Sequence, residues 1–198
     1  LIFGLPGETL DSFAAGFDRL YALRPHEIQL GVLKRLRGTP IARHSAACGM
    51  SYDPEPPYTV RQTAAVDALT VQRFTRFARY WELLANSGRF KASLAVLLDG
   101  PSPFAAFLAF ADWLWQSTAQ TNRLTPEALV DHLFDYLTAV SGRENESVRL
   151  TLLADYQASG ARANPACLQG LLKNREKPIP RAARALVERQ ARHGSEPR

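Results

Sequence analysis

Only two of the 198 residues are cysteine, Cys48 and Cys167, and they stand far apart with no CxxC or CxxxCxxC spacing. Neither a zinc ribbon nor an iron–sulfur cluster can be built from this sequence alone. So few thiols fit a reducing compartment, and a cytoplasmic location is the expectation. Long apolar runs are also missing. Phe104 to Leu108 and Ala109 to Ala111 give way to Asp112 before reaching the roughly 20 residues that a membrane span requires. His26, His44, His132 and His193 form no HxxxH or HExxH pair, so a histidine metal site has no support. GxSxG, GxGxxG and the Walker lysine with its hydroxyl are absent, which removes the motif support for a hydrolase triad, a dinucleotide site and a nucleoside triphosphate site.

What is present is an ordinary globular composition, with 46% hydrophobic and 22% charged residues, enough for one full domain or two small ones. The net charge of +5 is uneven. Residues 161–198 hold nine Lys or Arg against three acids, leaving 15 basic and 16 acidic residues before them. A basic tail suits a terminal helix and its dipole as well as it suits nucleic acid, which is not the expected partner.

The chain divides into three stretches. Leu1-Ile2-Phe3 reads as a short apolar strand with no basic segment ahead of it, so it is not a signal peptide. It reads as a chain beginning inside a strand, and a fragment of a longer protein is expected. Gly4-Leu5-Pro6-Gly7 is a turn, and Thr9 caps a helix with apolar positions Leu10, Phe13, Ala14, Phe17, Leu20 and Tyr21. A second strand is predicted over Glu27 to Leu33, which makes residues 1–44 one βαβ unit. Two strands cannot stand alone, so this unit must dock on strands from elsewhere or on the helical remainder, with Ile2, Phe3, Ile28 and Leu30 left partly exposed.

Residues 45–59, carrying Pro54, Pro56 and Pro57, read as an extended linker and a domain boundary. Helices are predicted over Val60–Asn86, Phe90–Leu98, Ser102–Ser117, Pro126–Val140 and Glu146–Ala158, with a last one after Pro180. The expected fold class is thus an α/β fragment plus an all-α domain spanning 60–198, whose core includes Phe74, Phe77, Trp81, Phe107, Leu114 and Leu133.

The turn between strand and helix carries the sharpest local signal. Glycines there let a ligand approach the backbone while helix N-terminal amides point at it, although a plain connecting turn has the same pattern. Lys34, Arg35 and Arg37 follow the second strand, where they either hold a carboxylate or phosphate or form a solvated basic loop. Arg73, Arg76 and Arg79 recur beside Phe74, Phe77, Tyr80 and Trp81, a pattern that serves RNA stacking or, more often, a helix that buries its aromatics and solvates its arginines.

Ile2-Phe3-Gly4-Leu5-Pro6-Gly7-Glu8-Thr9, followed by a helix, a strand and Leu36-Arg37-Gly38-Thr39-Pro40-Ile41, resembles the fifth strand, helix and sixth strand of radical SAM (S-adenosyl-L-methionine) enzymes. Leu33 to Pro40, Tyr52 to Tyr58 and Arg76 to Trp81 look more narrowly like the C-terminal part of cobalamin-binding-domain-containing radical SAM proteins, which carry a helical domain of unknown function after the barrel. The resemblance implies a partial radical SAM (β/α) barrel, here one βαβ unit, followed by a helical domain. It implies S-adenosylmethionine and a metal-binding [4Fe-4S] site in the full-length protein, with cobalamin a further possibility and the cluster cysteines upstream. By position it implies cofactor contacts at Ile2, Phe3, Gly4, Leu33 and Lys34 and substrate contacts at Arg35 and Arg37. Glu8 lies four residues after Gly4 where the superfamily spacing is three, and receives no cofactor role. The implied partners are the missing N-terminal part of the same protein and a small-molecule or protein substrate. The rival reading is a non-catalytic helical interaction module that binds RNA or protein.

Overall fold

The computed structural model describes residues 1–172, so the helix expected after Pro180 and most of the basic tail lie outside the described residues. The chain opens with β1 (Ile2–Phe3), α1 (Leu10–Ala22) and β2 (Gly31–Val32). Thr9 and Ser12 form a reciprocal cap on α1: Ser12 N donates to Thr9 Oγ1 at 3.1 Å and Thr9 N donates to Ser12 Oγ at 3.0 Å. β1 and β2 are parallel, with Ile2 opposite Gly31 and Phe3 opposite Val32. The βαβ unit is present, with a second strand shorter than expected.

Residues 45–59 are not the open linker that the prolines suggest. β3 (Ser51–Tyr52) and β4 (Val60–Gln62) form an antiparallel hairpin with a bulge at Ser51/Tyr52. The hairpin then pairs with the continuation of β2. Val60 N donates to Leu33 O at 2.8 Å, Arg35 N donates to Tyr58 O at 2.9 Å, and Lys34 bridges Thr59 antiparallel. The prolines sit in the hairpin loop, where their missing N–H groups cost the ladder nothing. The long helix accordingly starts at Ala68 rather than Val60, where Asp67 Oδ1 accepts from Thr70 N at 2.7 Å.

α2 (Ala68–Trp81) runs on through a wide turn at Glu82–Asn86 and stops at Gly88, whose φ is +68°. α3 (Lys91–Leu97), α4 (Pro103–Thr118), α5 (Pro126–Asp135) with a second wide turn at Tyr136–Val140, and α6 (Asn145–Ala158) complete six α-helices among the described residues. The molecule is therefore mostly helical with a few short strands, and these strands do not by themselves close a barrel.

One apolar core runs through β1, α1 and all the helices. Phe3 stacks on Phe74 with ring centroids 4.3 Å apart, Phe13 meets the same ring edge-on at 4.8 Å, and Phe17 meets Trp81 edge-on at 4.9 Å. Phe77 links this group to Phe104 and Phe107 on α4, at 4.8 and 5.1 Å. Contrary to the expectation of exposure, Phe3 and Ile28 are buried, because α2 packs beside α1 on the same face of the strands; Ile2 alone of the four stays more than half exposed, at 52%. The six core residues expected from the helical pattern are all buried.

Three aspartates tie the elements together by capping helices other than their own. Asp18 of α1 accepts from Ser102 Oγ at 2.6 Å and Phe104 N at 2.8 Å at the start of α4. Asp155 of α6 accepts from Ala92 N, Ser93 N and Ser93 Oγ at 2.7–3.0 Å at the start of α3. Asp131 of α5 accepts from Ala166 N and Cys167 N at 3.0 and 2.8 Å. Each places a carboxylate on amides that the helix itself leaves without partners.

Two measurements check this architecture. Trp81→Ala should cost about 3–5 kcal/mol in urea unfolding, since its ring is enclosed and its Nε1 donates to Ile28 O at 3.0 Å. Hydrogen exchange at the amides pairing β2 with β1 should report an opening free energy within about 1 kcal/mol of that of α2, because one core serves both.

Candidate functional site at the strand ends

The turn after β1 is held by its own acid. Gly4 N donates to Glu8 Oε2 at 2.8 Å and Leu5 N reaches the same oxygen at 3.4 Å. Gly4 has φ +91°, and a Cβ built on it would lie 2.7 Å from Val60 Cγ1. Glycine is required here because a methyl of β4 packs against its α-carbon. Phe3 points into the aromatic core, so its ring is structural.

Alternation along the strands sorts the remaining candidates by face. Phe3, Leu30 and Val32 contribute to the main core under α1 and α2. Ile2 and Gly31 lie on the opposite face, where Ile2 is exposed and nothing stands within 4 Å of a Cβ built on Gly31. Leu33 shares that opposite face and is covered by the hairpin through Met50, Val60 and Tyr52. Arg35, two residues on, sets its guanidinium 5.0 Å over the Tyr52 ring. Lys34 alternates away from Leu33 and Arg35 and is exposed; Arg37 is exposed in the turn before Gly38. The structure thus brings Ile2, Gly31, Leu33 and Arg35 onto one face, and separates Phe3 and Lys34 from it. Tyr52 and Val60, which complete this end, carry no local signal in the sequence, because a hairpin that pairs with a strand some 20 residues earlier is a long-range event.

The three arginines of α2 are all engaged with α4 or the segment after it. Arg73 Nε donates to Asp112 Oδ2 at 2.7 Å, Arg76 stacks 4.9 Å over Trp115, and Arg79 Nε donates to Thr121 O at 3.3 Å. With Phe74, Phe77, Tyr80 and Trp81 buried, this helix presents no aromatic platform to RNA. At the opposite end of the strands a groove of about 620 Å³ lies between the Arg24–Ile28 loop, the end of α2 and α3, with Arg24, His26, Glu27 and Lys91 on its walls.

Cys48 packs in the small cluster beneath the hairpin, and Cys167 packs against the main core beside Asp131. Among the described residues no group of three or more His, Cys, Asp or Glu is placed to hold a metal ion, so a [4Fe-4S] cluster does not fit on this chain's own ligands. A cofactor contact at Gly4 is also poorly served, because its amide is taken by Glu8 and its open side by Val60. No helix among the described residues is long and apolar enough to cross a membrane.

Fold and site together define a small parallel α/β element packed into an all-helical domain, with a bare strand face at one end. Residues 46–193 match the model of a family described as Protein of unknown function (DUF4080), and the chain belongs to that family. No curated protein and no solved structure matches it.

Gly4→Ala should destabilise the chain by about 2–4 kcal/mol, combining a positive φ with overpacking against Val60. Adding Val60→Ala should recover the packing part only, as read from paired urea titrations. The Cys167 thiol is pushed up to about 12 by burial and by Asp131. Its folded value exceeds its unfolded one, so the stability it lends is complete below about pH 8.5 and is lost as pH rises toward 12. Cys167→Ala should flatten that alkaline loss in melts recorded across the range.

Proposed function

We propose that this chain is the C-terminal part of a radical SAM enzyme, contributing the last βαβ unit of its barrel and a helical domain that braces it. The observation that carries the reading is the one-sided dressing of the strands. α1 and α2 both lie on the Phe3 face, while among the described residues the face of Ile2 and Gly31 has no helix on it. A doubly wound sheet carries helices on both faces; a (β/α) barrel carries them on the outside only and keeps the inner face for side chains and substrate.

The two edges of the sheet support the same reading. Past the end of β1 the hairpin continues the ladder on the same edge of β2, since Leu33 N donates to Phe3 O while Leu33 O accepts from Val60 N, and β1 has no strand on its other side among the described residues. Leu1, Ile2 and Leu5 are exposed along that open edge. Strands preceding β1 in sequence would be added there. The helical domain braces the outer wall through α2, and its leading hairpin covers part of the mouth.

Such an enzyme cleaves S-adenosylmethionine reductively at a [4Fe-4S] cluster to begin radical chemistry on its substrate, and neither the cluster ligands nor any cleavage step is assigned to residues of this chain. Its residues supply the wall: Ile2 and Gly31 line the inner face, Leu33 and Val60 exclude water from its end, and Arg35 stands at the rim. The engaged arginines of α2 weigh against the RNA-binding alternative.

The complete protein, reconstituted anaerobically with iron and sulfide, should show cluster absorbance and release 5′-deoxyadenosine, whereas residues 1–198 alone should bind no cluster. Arg35→Ala in the complete protein should keep the cluster and alter turnover. A complete protein with neither cluster nor cleavage would overturn the reading.

A further inference from the structure

The geometry points to Arg35 as the recognition group for an anionic substrate, a carboxylate or phosphate ester, with Tyr52 as the residue that positions it. This rests on the reading of the strand ends as the mouth of a reaction chamber. It goes further by naming what the mouth selects and by giving the hairpin of the DUF4080 segment a part in the selection.

Four observations converge on Arg35. Its face is fixed, since Arg35 N donates to Tyr58 O at 2.9 Å and so extends the pleat that also carries Gly31 and Leu33. Its guanidinium lies 5.0 Å over Tyr52, whose hydroxyl in turn donates to Met50 Sδ at 3.5 Å, so the ring under the cation is itself held. A guanidinium held over a ring makes no hydrogen bond to it and keeps its N–H donors for a planar, two-oxygen acceptor. Finally, among the described residues the cation has no carboxylate partner: the ion pairs there are Arg61–Asp53, Arg73–Asp112 and Arg143–Asp99.

The strand side of this end is basic. From Ile28 to Tyr52 the sequence contains Lys34, Arg35, Arg37 and Arg43 and no Asp or Glu. The hairpin loop carries two acids, Asp53, engaged with Arg61 at 3.5 Å, and Glu55. An anion entering along the bare face of Ile2 and Gly31 therefore meets a prearranged fork backed by further positive charge. Lys34, one residue earlier, alternates to the other face and cannot share a ligand with Arg35 in the same way. The choice of Arg35 over Lys34 follows from the pleat and is invisible in the run Leu33-Lys34-Arg35-Leu36.

The test titrates residues 1–198 with inorganic phosphate and, separately, with malonate at low ionic strength, by calorimetry. Both anions should bind saturably, and the tighter of the two identifies the head group. Arg35→Ala should weaken binding on the order of tenfold, and Arg35→Lys, which keeps the charge and loses the fork, by about threefold. Tyr52→Ala should weaken it by about threefold while Tyr52→Phe, which keeps the ring, restores it. Arg89→Ala, removing an equal charge from the exposed turn before α3, should change it less than about twofold. Melting curves confirm that each variant is folded. Equal losses in Arg35→Ala and Arg89→Ala, or unchanged binding in Arg35→Ala, would overturn the assignment. Cleavage of S-adenosylmethionine by the complete protein is scored apart. Cleavage without Arg35-dependent anion binding defeats this inference alone, whereas Arg35-dependent binding without cleavage supports the anion site and defeats the enzyme reading.

Discussion

The stack of Phe3 on Phe74 is the contact on which the rest depends, because it is where a two-stranded parallel element acquires the cover it cannot provide for itself. One helix alone leaves part of the apolar Phe3 face of the strands in water. α2 supplies the missing layer with the aromatic rings of its inward face, and those rings continue through Phe77 to α4. Each phenylalanine in this series is buried by partners from at least one other element, so the α/β element and the helices share one thermodynamic fate.

The polar contacts follow the same rule. Asp18 seats the start of α4 on α1, Asp155 seats α3 on α6, and Arg73 joins α2 to Asp112 of α4. Most of these are partly shielded from water and replace partners that helix ends lack, so they fix direction as much as they add stability. The outcome at the strand ends is a division of labour. One face is filled, one is bare, and the hairpin takes over from β1 along one edge of β2.

Much of this was legible in the sequence, and the reasons are local. Thr9, Thr125-Pro126 and Gly88 mark helix ends by chemistry that acts within one turn, and the spacing of Phe13 with Phe17 or Phe74 with Phe77 fixes which side is buried. The hairpin was not legible. Val60-Arg61-Gln62 is too short to show alternation, and the prolines between Asp53 and Tyr58 mimic a linker when the pairing partner lies elsewhere. The candidate site suffered from the same blindness. Gly4 stood out correctly as a position that only glycine tolerates, but the atom that imposes this is a methyl of Val60 rather than a ligand. Lys34 and Arg35 are equivalent as letters; only a pleat with a known covered face tells them apart.

The matched family segment begins at residue 46, yet the surface on which its helices rest begins at residue 1. Cutting the gene at that boundary would strip Phe3, Phe13 and Phe17 from Phe74, Trp81 and Phe104, and would remove the carboxylate that seats α4. A recombination event that grafted this segment onto an unrelated partner would face the same loss. The helical segment and its α/β neighbour therefore make one folding unit, in which a change in one aromatic face is felt in the other.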